Sequence, residues 1–211
     1  MTASDLVRQS FQAMLDRLTV AEEELGKLDA AAGDGDHGTG MTRGMRAAMA
    51  ALEAAPTETP VPQLLLQAGS AFSDAAGGSS GALYGMMIMT IGQKIGTDPS
   101  RASLAAALAA GRDAVARLGK AKVGDKTMLD TLDPFVTTFA AQIDAGAELA
   151  TGWQAALPTA EAGAAATAEM VAKRGRSSKL AERSLGHPDP GAYSMLYLLQ
   201  AVGTVLLGNT R

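Results

Sequence analysis

Alanine dominates this sequence, and it is the residue that most strongly favours the α-helix. We count 43 alanines against only 13 valines and isoleucines together. Alanine has the highest helix propensity, whereas β-branched residues favour strands. The sequence therefore predicts an all-α fold before any hydrophobic pattern is considered.

The length and the charge limit the protein class. A chain of 211 residues with 47% hydrophobic residues is typical of a single globular domain, here residues 1–211. A net charge of −4 gives no reason to expect nucleic-acid or anionic-membrane partners, and the absence of cysteine excludes disulfides, cysteine-ligated zinc and thiol catalysis. Without a signal pattern or a run of about 18 apolar residues, we expect a cytoplasmic protein without a membrane helix.

Hydrophobic residues recur at helical spacing along the whole chain, which indicates about eight helices. Ser4 is a candidate N-cap of the first, and Thr19 with Glu22 forms a capping-box pattern that predicts a short second helix. The predicted helices cover residues 4–18, 19–28, 41–52, 62–76, 82–95, 98–118, 127–147, 153–174 and 193–207.

Four predicted loops are rich in Gly, Asp, Ser or Lys, and they alternate with ordinary ones. They cover residues 29–40, 77–81, 119–126 and 175–192. In an up-and-down helical arrangement, alternate loops lie at the same end. We therefore expect the functional residues to gather at one end of the fold.

The first of these loops contains three aspartates within eight residues, Asp29, Asp34 and Asp36. Clustered carboxylates repel one another unless a cation lies between them, and carboxylate oxygens are the ligands that Mg²⁺ prefers. A solvated acidic turn is the alternative, since Asp and Gly are common turn residues. An EF-hand is disfavoured because its twelfth position is Met45 rather than an acidic residue.

Residues next to the aspartates favour phosphate binding. The run from His37 to Gly40 leads into a helix, whose N-terminus attracts anions, although His37 also fits a plain cap. Residues 77–81, with two serine hydroxyls, repeat this pattern. Lys126 faces either phosphate or solvent, and the basic residues of the fourth loop are either phosphate ligands or a solvated face. A magnesium–nucleotide site is the hypothesis that joins these features.

Four segments together resemble one family, the nucleotide-binding L subunit or L domain of dihydroxyacetone kinases. They are LDAAAGDGDHGTGM (28–41), GGSSGALYG (77–85), GKAKVGDKTMLDTL (119–132) and GRSSKLAERSLGHPDPGA (175–192). The resemblance implies a closed barrel of eight antiparallel amphipathic helices with the nucleotide at one end. An ATP-binding domain of the fatty-acid kinase type is disfavoured, because that group has a Thr where this sequence has His37.

The resemblance also implies roles for individual residues, with ADP or ATP and two Mg²⁺ ions as cofactors. Asp29, Asp34 and Asp36 match the metal ligands. The positions that match nucleotide contacts are His37, Gly38, Thr39, Gly40, Ser79, Ser80, Gly119, Met128, Arg176, Asp189, Pro190 and Gly191.

In this family a K portion holds dihydroxyacetone on a histidine, and the sequence ends shortly after its last predicted helix. We therefore expect a separate K subunit as partner, with phosphoryl transfer to a small ketose. The resemblance favours a bound ADP coenzyme that a phosphohistidine subunit, driven by phosphoenolpyruvate, rephosphorylates. Direct use of ATP, for example on erythrulose, and a non-catalytic ADP-binding regulatory role are the alternatives.

Overall fold

The computed structural model describes residues 2–31, 33–175, 178, 182 and 184–208. These residues form eight α-helices and a short 3₁₀-helix, and no strand occurs among them. The helices are α1 (Ala3–Ala30), α2 (His37–Ala54), α3 (Val61–Ala76), α4 (Gly78–Ile95), α5 (Arg101–Gly119), α6 (Leu129–Asp144), α7 (Leu149–Ala166) and α8 (Pro190–Gly208), with the 3₁₀-helix at Thr167–Glu169. The prediction of an all-α fold with about eight helices is confirmed.

The helices form a closed ring. Each packs against the next one in the chain, from α1 to α8, and α8 in turn packs against α1. A ring closed in this way leaves every helix with two neighbours on which to bury its apolar face. The closed helical barrel implied by the resemblance is thus confirmed.

Glycine allows two of the helices to approach closely. A Cβ atom built on Gly85 of α4 would lie 2.8 Å from the carbonyl oxygen of Gly69 in α3. The two helices are joined by a single residue, Gly77, whose φ of 68° lies in the left-handed region. Because glycine adopts this conformation without a Cβ penalty, the chain reverses direction there without a loop.

Aromatic residues fill the core between α6, α7 and α8. The rings of Phe135 and Phe139 lie 4.8 and 5.4 Å from Trp153, each meeting it edge to face. The indole N–H of Trp153, a residue only 4% exposed, donates to the Leu199 carbonyl. The one polar atom of this side chain is therefore satisfied inside the core.

The predicted break near Thr19 is wrong, since α1 continues without interruption from Ala3 to Ala30. Thr19 donates its hydroxyl to the Leu15 carbonyl one turn earlier instead of capping a new helix. The real capping box is formed by Thr2 and Asp5, one turn before the predicted helix body and with Thr2 rather than Ser4 as N-cap. A capping-box pattern without a helix-breaking residue before it does not start a helix.

Other predicted boundaries also shift. α2 begins at His37 rather than Met41, and α8 begins at Pro190 rather than Tyr193. The predicted loop at residues 77–81 is wrong apart from Gly77, because α4 already begins at Gly78. α7 ends at Ala166, well before the predicted end at Arg174. The helix N-termini consequently lie closer to the predicted site residues than the sequence indicated.

Helix α8 is the most apolar element. By length and mean hydropathy (1.3) it alone among the described helices is suited to span a membrane, which the sequence analysis did not expect. Within the fold, 56% of that stretch is buried, and α8 packs against α1, α6 and α7. A helix that is buried where it closes a ring is apolar on most of its surface, as a membrane-spanning helix is.

Candidate functional site

A cleft of about 610 Å³ lies at one end of the barrel. Its walls come from all four connections at that end, namely α1–α2, α3–α4, α5–α6 and α7–α8. The prediction that the Gly- and Asp-rich segments gather at one end is confirmed. Alternate connections of an antiparallel ring share an end, so the topology brings together residues far apart in sequence.

The three predicted metal ligands meet at one edge of this cleft. Asp29 lies in the last turn of α1, and Asp36 immediately precedes α2. One carboxylate oxygen from each of Asp29, Asp34 and Asp36 lies within 4.8 Å of the others. A Cβ on Gly33 would collide with Asp29 Oδ1 and lie 2.9 Å from the Asp29 carbonyl oxygen, so a larger residue there would displace this carboxylate. Three hard oxygen donors at this spacing fit Mg²⁺.

His37 lies beside the aspartates in a hydrogen-bond network that joins α2, α4 and α8. Its backbone N–H donates to Asp29 Oδ2 (3.3 Å), and its ring contacts Ser80 Oγ at Nδ1 (3.3 Å) and Ser194 Oγ at Nε2 (2.9 Å). Burial lowers the pKa of His37 to about 4, although the Asp29 carboxylate acts in the opposite direction. His37 is therefore neutral at physiological pH and acts by hydrogen bonding rather than by charge.

Tyr84 extends the same network. Its hydroxyl donates to the Gly191 carbonyl (3.0 Å) and lies 2.8 Å from Ser194 Oγ. Burial raises the pKa of this phenol far above its ordinary value, so it stays protonated. The network thereby ties the start of α8 to the starts of α2 and α4.

Two residues of the predicted phosphate-binding turn do not line the cleft. Gly38 is buried, and a Cβ on it would collide with the Glu22 carbonyl oxygen of α1. The Thr39 hydroxyl donates to Glu22 Oε1. Any contact of these two residues with a nucleotide remains a prediction, whereas Gly40 does line the cleft.

The α3–α4 corner lines the same cleft as the aspartates. Ser79 and Ser80 belong to the first turn of α4 and line the cleft. Arg43 of α2 donates to the carbonyls of Ala75 (2.7 Å) and Ala76 (2.9 Å), which end α3. This arginine also lines the cleft and was missed in the sequence, where nothing sets it apart from other helix-surface arginines.

Two buried carboxylates organise the α5–α6 connection. Asp130, 2% exposed, accepts the backbone N–H groups of Gly124 (2.5 Å) and Thr127 (2.7 Å). Burial opposes ionisation of Asp125, but Arg174, whose Nε lies 3.1 Å away, and a backbone N–H hold its pKa below the ordinary value. These backbone hydrogen bonds and the ion pair of Asp125 with Arg174 hold the turn in one conformation.

Lys126 belongs to this connection and lines the cleft, but its ammonium group is bound to backbone carbonyls rather than to either of its predicted partners. It is only 4% exposed, and its ammonium group donates to the carbonyls of Met170 (2.9 Å), Ser184 and His187 (2.7 Å). Burial lowers the pKa of Lys126, and the nearby Asp189 carboxylate counteracts this. Phosphate and solvent were the two predicted partners of this ammonium group, whereas in the structure it donates to three backbone carbonyls.

Asp189 precedes α8 and caps it, because its Oδ2 accepts the Ala192 N–H at 2.8 Å. Burial raises the pKa of Asp189 to about 7, with the charge of Asp130 acting in the same direction. Pro190 and Gly191 form the first turn of α8 and line the cleft together with Asp189. The predicted turn is thus the capped start of a helix.

Most of the predicted site residues line the cleft, and the cleft also contains residues that were not predicted. Arg176 lies outside the described residues. The predicted residues that line the cleft are Asp29, Asp34, Asp36, His37, Gly40, Ser79, Ser80, Gly119, Met128, Asp189, Pro190 and Gly191. Tyr84 and Thr127 also line it and were not singled out for contact with a ligand, whereas Arg174, which also lines it, is one of the basic residues predicted to be either phosphate ligands or a solvated face.

The barrel carries an acidic cluster beside the N-terminus of α2, and the first turn of α4 lines the same cleft. Residues 31–204 match the family described as the DAK2 domain. The chain belongs to this family.

Several relatives are kinases of small ketoses. The chain is 40% identical over 209 residues to D-erythrulose kinase of Mycolicibacterium smegmatis, covering 98% of this chain and 36% of that protein. It is 40% identical to the human triokinase/FMN cyclase, covering 88% of this chain and 32% of that protein. The chain thus spans about a third of the length of these relatives.

A shorter relative matches over most of its own length. The ADP-binding subunit DhaL of PEP-dependent dihydroxyacetone kinase 2 from Listeria innocua is 35% identical, covering 83% of this chain and 82% of that subunit. The crystal structure of the dihydroxyacetone kinase from C. freundii in complex with AMP-PNP and Mg²⁺ is similar in fold. Its TM-score is 0.74 at 28% identity, covering 96% of this chain and 34% of that one.

Proposed function

We propose that this domain holds ADP or ATP with two Mg²⁺ ions and presents the terminal phosphoryl group to a small ketose. The observation that carries the proposal is the meeting of Asp29, Asp34 and Asp36 with the first turns of α2 and α4 in one cleft. The AMP-PNP and Mg²⁺ of the C. freundii structure support it.

The chain's own groups would bind and orient the phosphates. The three carboxylates would hold the metal ions, and the N-termini of α2 and α4 would direct backbone N–H groups at phosphate oxygens. Bound Mg²⁺ would neutralise the charge of the transferring phosphate. Neutral His37 would hold Ser80 through its Nδ1 without adding a charge. Gly119 and Met128, also on the cleft wall, would lie beside the base.

The ketose would be held by a K-type partner, because no residue of the described cleft is suited to bind a ketose covalently: His37 is committed to its network. Dihydroxyacetone or a similar ketose on a separate K subunit is our proposed acceptor. We propose a cytoplasmic location, where the metabolites and nucleotides of such a reaction are present.

Two versions of this function differ in the phosphoryl donor. The DhaL relative supports a bound ADP that a phosphohistidine subunit recharges from phosphoenolpyruvate. The higher identity to D-erythrulose kinase favours the second version, a domain that uses ATP directly. Acid extraction of purified protein decides between them: near-stoichiometric ADP that resists exchange supports the first, and an empty or freely exchanging site supports the second.

Replacing two metal ligands tests the core of the proposal. We expect Asp34→Ala with Asp36→Ala to abolish ketose phosphorylation in the presence of the K-type partner. The same variant should also lose the rise in melting temperature that Mg²⁺–ADP gives the wild-type protein, since ligand binding stabilises the folded state. Asp98→Ala, an exposed carboxylate in the connection at the opposite end, is the matched control.

Two outcomes would contradict the proposal. If wild-type protein shows no Mg²⁺-dependent nucleotide binding, the site is not a nucleotide site. If it binds nucleotide and the partner but no phosphoryl transfer occurs with either donor, the non-catalytic regulatory role replaces the kinase role.

A further inference from the structure

We propose that Lys126 is a positioning residue that fixes the two wall segments of the cleft provided by the α7–α8 connection, and thereby slows nucleotide release without its ammonium group binding the nucleotide. These wall segments are residues 170–175 and 184–189. The inference rests on the proposed nucleotide site, and it assigns to Lys126 a role different from a phosphate ligand.

The ammonium group of Lys126 is fully used by the protein. Its three protons match three backbone acceptors, the carbonyls of Met170, Ser184 and His187. Met170 lies in the first wall segment, and Ser184 and His187 lie in the second. One buried side chain thus joins two separate stretches, through acceptors (Met170 and Ser184) that are 14 residues apart in sequence.

The wall segments carry residues that face the cleft. Arg174 and Gly175 line it from the first segment, and Asp189 lines it from the second. The Ala172 N–H donates to Ser184 Oγ at 2.9 Å, so the two segments also contact each other. Moving the carbonyls away from Lys126 would therefore move both sides of this wall.

The backbone at Lys126 is held in an unusual conformation. Its φ of 62° is left-handed, which costs a non-glycine residue free energy. The N–H groups on either side, from Gly124 and Thr127, are fixed by Asp130. The hydrogen bonds of the surrounding turn thus offset the free-energy cost of this conformation, which directs the side chain inward. This is expected where a side chain has a specific positioning task.

The absence of cysteine from the sequence allows a rescue experiment. Lys126→Cys can be alkylated at one site in denaturant with 2-bromoethylamine, which restores an ammonium group at nearly the original length. Alkylation with 1-iodopropane gives a neutral side chain of similar size. Wild-type protein taken through the same unfolding and refolding is the reference, and Lys122→Met, an exposed lysine of the same α5–α6 connection as Lys126, is the matched control.

Two measurements follow for each protein: hydrogen exchange in peptides covering the wall segments, and the dissociation rate of fluorescently labelled ADP with Mg²⁺. We expect the propylated protein to exchange faster in these peptides and to release ADP about tenfold faster or more, because three acceptors lose a charged donor. The aminoethylated protein should return towards wild type, and Lys122→Met should stay close to it.

Unchanged exchange in the propylated protein would overturn the positioning role. Faster exchange with an unchanged dissociation rate would show that these segments do not control nucleotide release, and would also overturn the proposal. Failure of the aminoethyl group to restore either value would assign the effect to packing rather than to the ammonium group. If wild-type protein binds no ADP, the proposed function fails, and hydrogen exchange still tests whether Lys126 fixes the two wall segments.

Discussion

Adding a methyl group at Gly38 should disturb the barrel, whereas adding one at Gly40, one half-turn later in α2, should not. A Cβ on Gly38 would collide with the Glu22 carbonyl oxygen and lie 2.9 Å from the carbonyl carbon. Both are backbone atoms of α1, so no side chain can rotate away. A Cβ on Gly40 would meet its nearest neighbour, the Ala76 carbonyl oxygen, at an ordinary 3.6 Å.

The expected magnitudes follow from this difference. Alanine gains up to about 1 kcal/mol of helix propensity over glycine at either position. Overpacking against rigid atoms costs about 3 kcal/mol. Gly38→Ala should therefore lose about 2 kcal/mol, or about 4–8 °C in melting temperature for a chain of this size. Gly40→Ala should gain up to about 1 kcal/mol, since the propensity term acts alone.

Thermal unfolding of both variants, followed by circular dichroism without ligand, measures this difference. Comparing the two variants removes the shared propensity term, so the gap between them reports the contact between α1 and α2. A Gly38→Ala variant as stable as wild type would refute the reasoning, because it would mean that the two helices separate at little cost. A large loss in both variants would point instead to backbone effects at the start of α2.

Two further predictions concern the network and charge around the start of α8. Asp189→Asn should leave stability almost unchanged near pH 4 and raise it by up to about 4 kcal/mol at pH 8 relative to wild type. The folded-state pKa of about 7 lies above the unfolded value of 3.8, so wild type loses stability as pH rises through this interval. Urea denaturation at several pH values measures this, and a pH-independent difference would contradict it. Tyr84→Phe should cost about 1–2 kcal/mol, because the Gly191 carbonyl loses a buried donor. Tyr193→Phe, whose ring packs edge-on against a neighbouring tyrosine, is its control in the same denaturation assay, and equal losses would argue against the network.

The sequence predicted the architecture well because two strong signals agree. Alanine content and helical periodicity define the elements, and alternation of loop composition defines which end carries the site. The helix ends were harder to place. Gly78 and Ser79 favour loops by composition, yet they form the first turn of α4, because Gly77 alone reverses the chain. Local composition cannot distinguish a glycine-rich loop from a glycine-rich first turn.

The candidate site could be predicted where its chemistry depends on residue type. It could not be predicted where its chemistry depends on the direction in which a side chain points. Asp29, Asp34 and Asp36 are a dense acidic group in any conformation, and they meet as predicted. Lys126 could not be placed in this way, because a lysine in a loop is normally solvated. Its inward direction depends on a left-handed backbone and on carbonyls more than forty residues later in the chain, neither of which local sequence reveals.

The placement of the single tryptophan has a practical consequence for optical experiments. Trp153 is shielded by Phe135 and Phe139, and neither these rings nor its carbonyl partner Leu199 lines the cleft. Its intrinsic fluorescence will report on the integrity of the α6–α7–α8 core and will change little when a ligand enters the cleft. Emission spectra can therefore follow unfolding without interference from occupancy, whereas titrations need a labelled ligand.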